Sequence, residues 1–221
     1  HDGRRVVFDA VTGEGGKRSF FVVNANGSDL QELGAESMPD WSPNDEQVIF
    51  QDHGSIWIQN GAGRKRLTEG GCARWSPDGT RIVFTDRRTI KIYKLADGTE
   101  EALVDFSFDE FPHGFDWSRD GKRIAFTGRR AGTQQRELFI VDMTQSPPQA
   151  TVRFAHDASL AKHIHWSPDG KQLAITIGGL VHLLDVEGTS EPRLLPGDNK
   201  NCREPTWSPD GKWFVFSRRP R

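Results

Sequence analysis

Short apolar runs separated by polar, glycine-bearing connections fill the chain from end to end. The series begins Val6-Val7-Phe8, Phe20-Phe21-Val22-Val23, Val48-Ile49-Phe50, Ile56-Trp57-Ile58, Ile82-Val83-Phe84 and Ile90-Lys91-Ile92-Tyr93. It continues through Ile124-Ala125-Phe126, Leu138-Phe139-Ile140-Val141, Leu173-Ala174-Ile175 and Leu180-Val181-His182-Leu183-Leu184. The runs are rich in β-branched and aromatic residues and are bounded by Gly, Asn, Asp and Pro, a pattern that predicts strands and hairpins. No segment of helical length carries apolar residues at helical spacing. The expected fold class is all-β.

One phrase sits before the second strand of each repeat. It reads Trp41-Ser42-Pro43-Asn44-Asp45, Trp75-Ser76-Pro77-Asp78-Gly79, Trp117-Ser118-Arg119-Asp120-Gly121, Trp166-Ser167-Pro168-Asp169-Gly170 and Trp207-Ser208-Pro209-Asp210-Gly211. Pro presets φ for the first central position of a type I turn, Asp tolerates the second, and Gly supplies the left-handed residue that closes the hairpin. The Ser hydroxyl can bond back onto the turn backbone. Asp45 in place of Gly and Arg119 in place of Pro are both compatible with the same turn. Each phrase therefore predicts a hairpin tip, with Trp ending the first strand.

A second hairpin follows in each repeat, turning at Asn26-Gly27, Asn60-Gly61, Asp97-Gly98, Pro147-Pro148 and Glu187-Gly188. A short outer strand such as Leu30–Leu33, Lys65–Thr68 or Pro192–Leu195 closes the unit. The tryptophans recur at gaps of 34, 42, 49 and 41 residues. Four-stranded units at a period near forty are blades of a β-propeller. Asp2-Gly3-Arg4-Arg5-Val6-Val7-Phe8 aligns with the phrase plus its second strand, so six repeats are represented and the terminal two are incomplete. Six blades are the preferred expectation. The alternative is five blades, the last closed by both chain ends. Trp41, Trp75, Trp117, Trp166 and Trp207 are expected to be structural, each filling the same gap between blades.

Trp-Ser-Pro-Asp-Gly-Lys followed by an apolar strand, as in Trp166 to Ile175 and Trp207 to Phe216, resembles the repeat of the TolB-type propeller family. The resemblance spans residues 1–221 as one propeller domain, read as a possible piece of a longer polypeptide. It implies a protein- or peptide-binding scaffold in the bacterial periplasm or cell envelope. Its candidate partners are the peptidoglycan-associated lipoprotein and other Tol components. The same repeat also occurs in pectin-fragment lyases, in propellers attached to serine oligopeptidases and in sensor modules, so an enzymatic propeller or a gating propeller is the alternative.

A net charge of -2 gives no general attraction to nucleic acid, and no apolar run reaches the length of a membrane helix. The basic clusters Arg64-Lys65-Arg66, Arg87-Arg88, Arg129-Arg130 and Arg218-Arg219 fall in loops, outer strands or the tail, where charge protects sheet edges. Asp105-Phe106-Ser107-Phe108-Asp109-Glu110 reads as a surface loop. Cys72 and Cys202 lie 130 residues apart without a zinc signature and are expected to be buried thiols. Gly13-Glu14-Gly15-Gly16-Lys17-Arg18-Ser19 lacks phosphate-loop spacing, and no Gly-x-Ser-x-Gly is present. No catalytic residue, metal or cofactor is assigned.

Binding residues are expected where the chain enters each innermost strand, at the mouth of the channel. Four and three residues before the tryptophans stand Ser37 and Met38, Gly71 and Cys72, His113 and Gly114, Lys162 and His163, and Arg203 and Glu204. Half of this ring is small or apolar. The remainder, His113, Lys162, His163, Arg203 and Glu204, is the candidate recognition sector for a peptide, a partner loop or a small anion. His163 and His165 alternate along one strand and are expected to face the same way. A metal shared by His113 and His163 lacks further ligands and would be opposed by Lys162.

Overall fold

The computed structural model describes residues 4–12, 17–34, 37–61, 63–110, 112–156, 160–197 and 202–218. The side chains of residues 9, 11, 12, 17, 18, 37, 160–162, 202–204, 217 and 218 lie outside that description. The glycine-rich loop at 13–16 does so entirely.

All described regular structure is β, in six sheets that follow chain order. The first holds three strands, β1 (Arg5–Thr12), β2 (Lys17–Asn24) and β3 (Gln31–Gly34). The second holds β4 (Ser37–Trp41), β5 (Val48–Asp52), β6 (Ser55–Asn60) and β7 (Gly63–Glu69). The third holds β8 (Gly71–Trp75), β9 (Arg81–Asp86), β10 (Thr89–Lys94) and β11 (Glu100–Ala102). The fourth holds β12 (His113–Trp117), β13 (Arg123–Gly128), β14 (Arg136–Asp142) and β15 (Gln149–His156). The fifth holds β16 (Leu160–Trp166), β17 (Gln172–Ile177), β18 (Leu180–Asp185) and β19 (Arg193–Leu194). The sixth pairs only β20 (Cys202–Trp207) with β21 (Phe214–Arg218). Four sheets thus have four strands and the terminal sheets have three and two. The preferred count of six blades is not supported, because neither terminal sheet is a four-stranded blade. The five-bladed alternative fits the count, with one strand over.

The strands form two compact units, residues 1–86 with 91–101, and residues 87–90 with 102–221. In each, the core lies between the faces of successive sheets. Phe20, Val48 and Phe50 pack the first sheet on the second, flanked by Val7, Leu33, Trp41 and Trp57. Ile49, Ile56, Ala73, Trp75, Ile82, Phe84 and Tyr93 pack the second on the third. In the other unit Ala125, Leu138, Ile140, Ile164, Trp166, Leu173, Ile175, Leu184 and Val186 fill the same layer between the fourth and fifth sheets. Both faces of an inner strand are covered this way, which is why β9, β13 and β17 read as unbroken apolar runs rather than as alternations. In the sixth sheet, β21 follows Trp213, 71 % exposed, and carries Val215, 68 % exposed.

Candidate functional site

Each innermost strand has two ends with different chemistry. At the Trp end the repeated phrase makes the expected turn, with the amide of Gly79, Gly121, Gly170 or Gly211 donating to the carbonyl of Ser76, Ser118, Ser167 or Ser208. The glycines have φ of 69–72°, and Asp45, standing for Gly in the first copy, has φ 57°. The Ser hydroxyl donates to Asp Oδ1 at 2.6 Å in Ser76–Asp78, Ser118–Asp120, Ser167–Asp169 and Ser208–Asp210. The same hydroxyl accepts from the amide five residues on, as Ser76 does from Arg81 at 2.9 Å. Asn44 replaces Asp in the first turn and accepts from Ser42 at 2.7 Å. This web holds the Asp78 carboxyl at about 2: partial burial opposes ionisation but is outweighed by bonds from Ser76 and Thr80 and the charge of Arg81. Asp120, Asp169 and Asp210 are also lowered, first by their Ser partners.

Trp75, Trp166 and Trp207 dock onto the preceding sheet. Trp75, Trp117 and Trp166 are buried, whereas Trp41 and Trp207 are half-buried. The Trp75 amide donates to Asp40 at 2.8 Å and the Trp166 amide to Asp116 at 2.7 Å, with Trp166 Nε1 donating to the Asp116 carbonyl at 3.1 Å. His165 occupies the corresponding position in its repeat, and its Nδ1 accepts from the Trp207 amide at 3.4 Å. That bond requires the tautomer with the proton on Nε2. Arginines complete the contact. Arg5 lies over Trp41 at 4.6 Å and donates to the Asp45 carbonyl, and Arg123 lies over Trp166 at 4.8 Å and donates to the Gly170 carbonyl at 2.7 Å.

The leading end of each innermost strand is bulged instead. Register shifts fall between Ser37 and Asp40, Gly71 and Arg74, His113 and Asp116, Leu160 and Ile164, and Arg203 and Thr206. Three residue steps on β12, from His113 to Asp116, face two on β13, from Thr127 to Ala125. Met38, Cys72 and Gly114, all three residues before Trp, have φ of 56°, 54° and 68°. A bulge re-aims the side chains around it. These bulges were not read from the sequence, although Gly114 at one of the positions was a signal of a left-handed residue there.

The bulges place the candidate binding residues. His113 and His163 are half-buried, and the His113 carbonyl accepts from Thr127 Oγ1 at 3.4 Å. Both are within the second unit, as are Lys162, Arg203 and Glu204, whose side chains lie outside the described residues. The expected alternation of His163 with His165 does not run through the strand, because the β16 register shift ends at Ile164, between them. His165 belongs to the Trp docking contact. Cys72 is half-buried rather than buried, and its thiol lies 3.6 Å from Met38 Sδ; the Cys202 side chain lies outside the described residues. Among the described residues no three His, Cys, Asp or Glu side chains converge as metal ligands would. No helix among them is long and apolar enough to cross a membrane.

No protein-family model matches the chain, and no curated protein matches it in sequence. Solved structures do. TolB from Acinetobacter baumannii superposes with a TM-score of 0.76 at 17% identity over 98% of this chain and 58% of its own. The chain therefore spans less than two thirds of that protein. A putative TolB from Agrobacterium tumefaciens gives 0.74 at 20% identity over 90% of this chain and 76% of its own. An oligogalacturonate lyase in complex with manganese gives 0.69 at 15% identity over 99% of this chain and 69% of its own. At these identities the likeness establishes the fold: an all-β propeller of the kind found in TolB.

Proposed function

We propose that this propeller is a binding module that recognises a protein or peptide partner at the leading ends of its innermost strands, through the sector His113, Lys162, His163, Arg203 and Glu204. The observation that carries the reading is a division of labour within the repeat. Asp40, Asp116 and His165 are committed to the amide of the next Trp, whereas the positions two and three residues earlier differ from one repeat to the next. The other repeats carry Ser, Gly or His at these positions, so Lys and Arg are not needed there for folding.

The likeness to TolB makes the peptidoglycan-associated lipoprotein and other Tol components the candidate partners, and the cell envelope the candidate location. Five blades is the finer reading of the fold. The lyase likeness, at 15% identity, extends to the fold alone.

The test is calorimetric binding of the soluble domain of a peptidoglycan-associated lipoprotein to the wild type and to Lys162→Ala and Arg203→Ala. Weaker binding in both variants at unchanged melting temperature, together with a decline as salt rises, is the expected result. Equal affinity in all three proteins would move recognition away from this sector.

A further inference from the structure

Two arginine pairs and one acidic, aromatic connection, each of which reads as solvated surface along the sequence, are woven together in the second unit. Segment 103–109 runs between two hairpin tips. On one side the Leu103 amide donates to the Ile90 carbonyl at 2.8 Å and the Phe108 amide to the Arg88 carbonyl at 3.0 Å. On the other, Phe108 bridges Arg130, the Asp109 amide donates to the Arg129 carbonyl, and the Ala131 amide donates to the Ser107 carbonyl. Phe108 is fully buried, edge-on to Phe126 and Phe139. Gly128 lies beneath it, where a Cβ would meet the ring at 2.7 Å. The connection is thus a fixed strip of backbone, not a loose loop, and it holds Arg87-Arg88 and Arg129-Arg130 on its two flanks.

Arg130 is set in place from behind. The buried Glu137 carboxylate accepts from its Nε at 2.7 Å and its Nη2 at 2.6 Å, and the guanidinium lies 5.8 Å from the rings of Phe106 and Phe139. One edge of the guanidinium is consumed, and the remaining donors are left for another acceptor. Arg130 lines an open concavity of about 530 Å³ with Asp105, Phe106, Ser107, Ala131 and Thr133. Around it stand cations with weak claims on their charge. Arg87 and Arg88 are exposed, and among the described residues neither side chain has an ion-pair or hydrogen-bond partner. Arg129 meets Asp109 only at 3.9 Å.

We propose that this shelf is a docking site for an acidic peptide segment, with Arg130 as the preset anchor for a carboxylate and Phe106 as the apolar contact beside it. Glu137 is a positioning residue, holding the guanidinium fork toward the ligand. Arg87, Arg88 and Arg129 supply the surrounding positive field. Asp105 on the lip disfavours an unbroken acidic run, so the fitting segment carries an aromatic or aliphatic residue next to its carboxylate. The site involves none of the residues assigned to the strand-end sector and stands whether or not that sector binds.

The experiment is fluorescence anisotropy with a labelled Gly-Glu-Phe-Gly-Glu-Gly peptide, its Gln-for-Glu counterpart, and acetate as a free-anion competitor. The wild type is expected to prefer the acidic peptide by about tenfold, with acetate competing far less effectively than unlabelled peptide. Arg87→Gln with Arg88→Gln, at exposed positions that do not touch the core, is expected to weaken binding several-fold and flatten its salt dependence. Arg130→Gln with Glu137→Gln, which removes both charges together and so leaves neither buried alone, is expected to weaken it by about tenfold. Lys162→Ala and Arg203→Ala are expected to leave it unchanged. Equal binding of the two peptides, acetate competing as well as peptide, or full affinity in the arginine variants would each overturn the proposal. So would loss of binding in the Lys162 and Arg203 variants alone, which would assign the peptide to the other sector. If the Arg130–Glu137 double variant fails to fold, the Arg87–Arg88 variant decides.

Discussion

The two ends of an innermost strand are a few residues apart in sequence and differ in almost everything else. At the Trp end the four Ser–Asp bonds repeat to within the same tenth of an ångström, and Asp40, Asp116 and His165 each reach the amide of the following Trp. At the leading end each strand is bulged, and the residues there range from Met and Cys to His. Repetition marks what the fold needs from each blade, and irregularity marks where the chain can vary without losing the fold. The contrast separates an end that holds the fold from an end that is free to vary, inside one element.

The largest effect that sharpens this contrast is Trp166→Ala. Its indole is 3 % exposed and bonded to Asp116, and removing it is expected to cost about 3–5 kcal/mol in denaturant melts. Trp41→Ala, at a half-buried position, should cost less; the assignment of the repeat tryptophans to structure is wrong if Trp166→Ala loses under about 1 kcal/mol. Next comes Asp116→Ala, which strips the Trp166 amide of its acceptor and is expected to cost about 1–3 kcal/mol. A neutral result there would make the docking bond incidental. Gly128→Ala pushes against the Phe108 ring and is expected to loosen segment 103–109, seen as faster amide exchange at Phe108 and Asp109. Exchange unchanged from wild type would show that the strip is not held by that packing.

Acid sets a further test. Asp78, Asp120, Asp169 and Asp210 have depressed values in the folded state, so their contribution to stability is complete above the ordinary carboxylate range. It is lost as pH falls through the folded value, about 2 for Asp78. The urea midpoint is therefore expected to fall between about pH 4 and pH 2. Asp78→Asn should show a shallower decline, and an identical pH profile would remove that turn from the acid transition. The smallest effects belong to the leading ends. His113→Ala and Met38→Gly are expected to change stability by less than about 1 kcal/mol, the second because the relief of a left-handed non-Gly residue offsets the added chain freedom. A loss comparable to Trp166→Ala at either position would erase the distinction between the two ends.

Most of the fold was legible because its signals are local. A Ser-Pro-Asp-Gly turn and the apolar run behind it are decided within ten residues, and Asp45 took the left-handed place predicted for it. What stayed hidden depends on partners distant in sequence. The one-residue excess of β12 over β13 exists only once the strands are paired, so nothing near His113 announces it except Gly114. His165 looked like a partner for His163 until alignment of the repeats placed it beside Asp40 and Asp116, as an acceptor for the next blade. Asp105–Glu110 reads as surface because Asp105 and Asp109 are exposed, while Phe108 within it is buried against Phe126 and Phe139 of the β13–β14 hairpin. The blade count failed for a related reason: repeat phrases can be counted along a chain, but complete sheets cannot.

Trp213 has an optical consequence. It is the one exposed indole among seven, while the other six are buried or half-buried. An ionic quencher such as iodide will extinguish its long-wavelength emission first and leave the shorter-wavelength signal of the interior largely intact. The chain therefore carries a built-in reporter on its two-stranded terminal sheet, spectrally separable from the rest of the molecule and usable without a label.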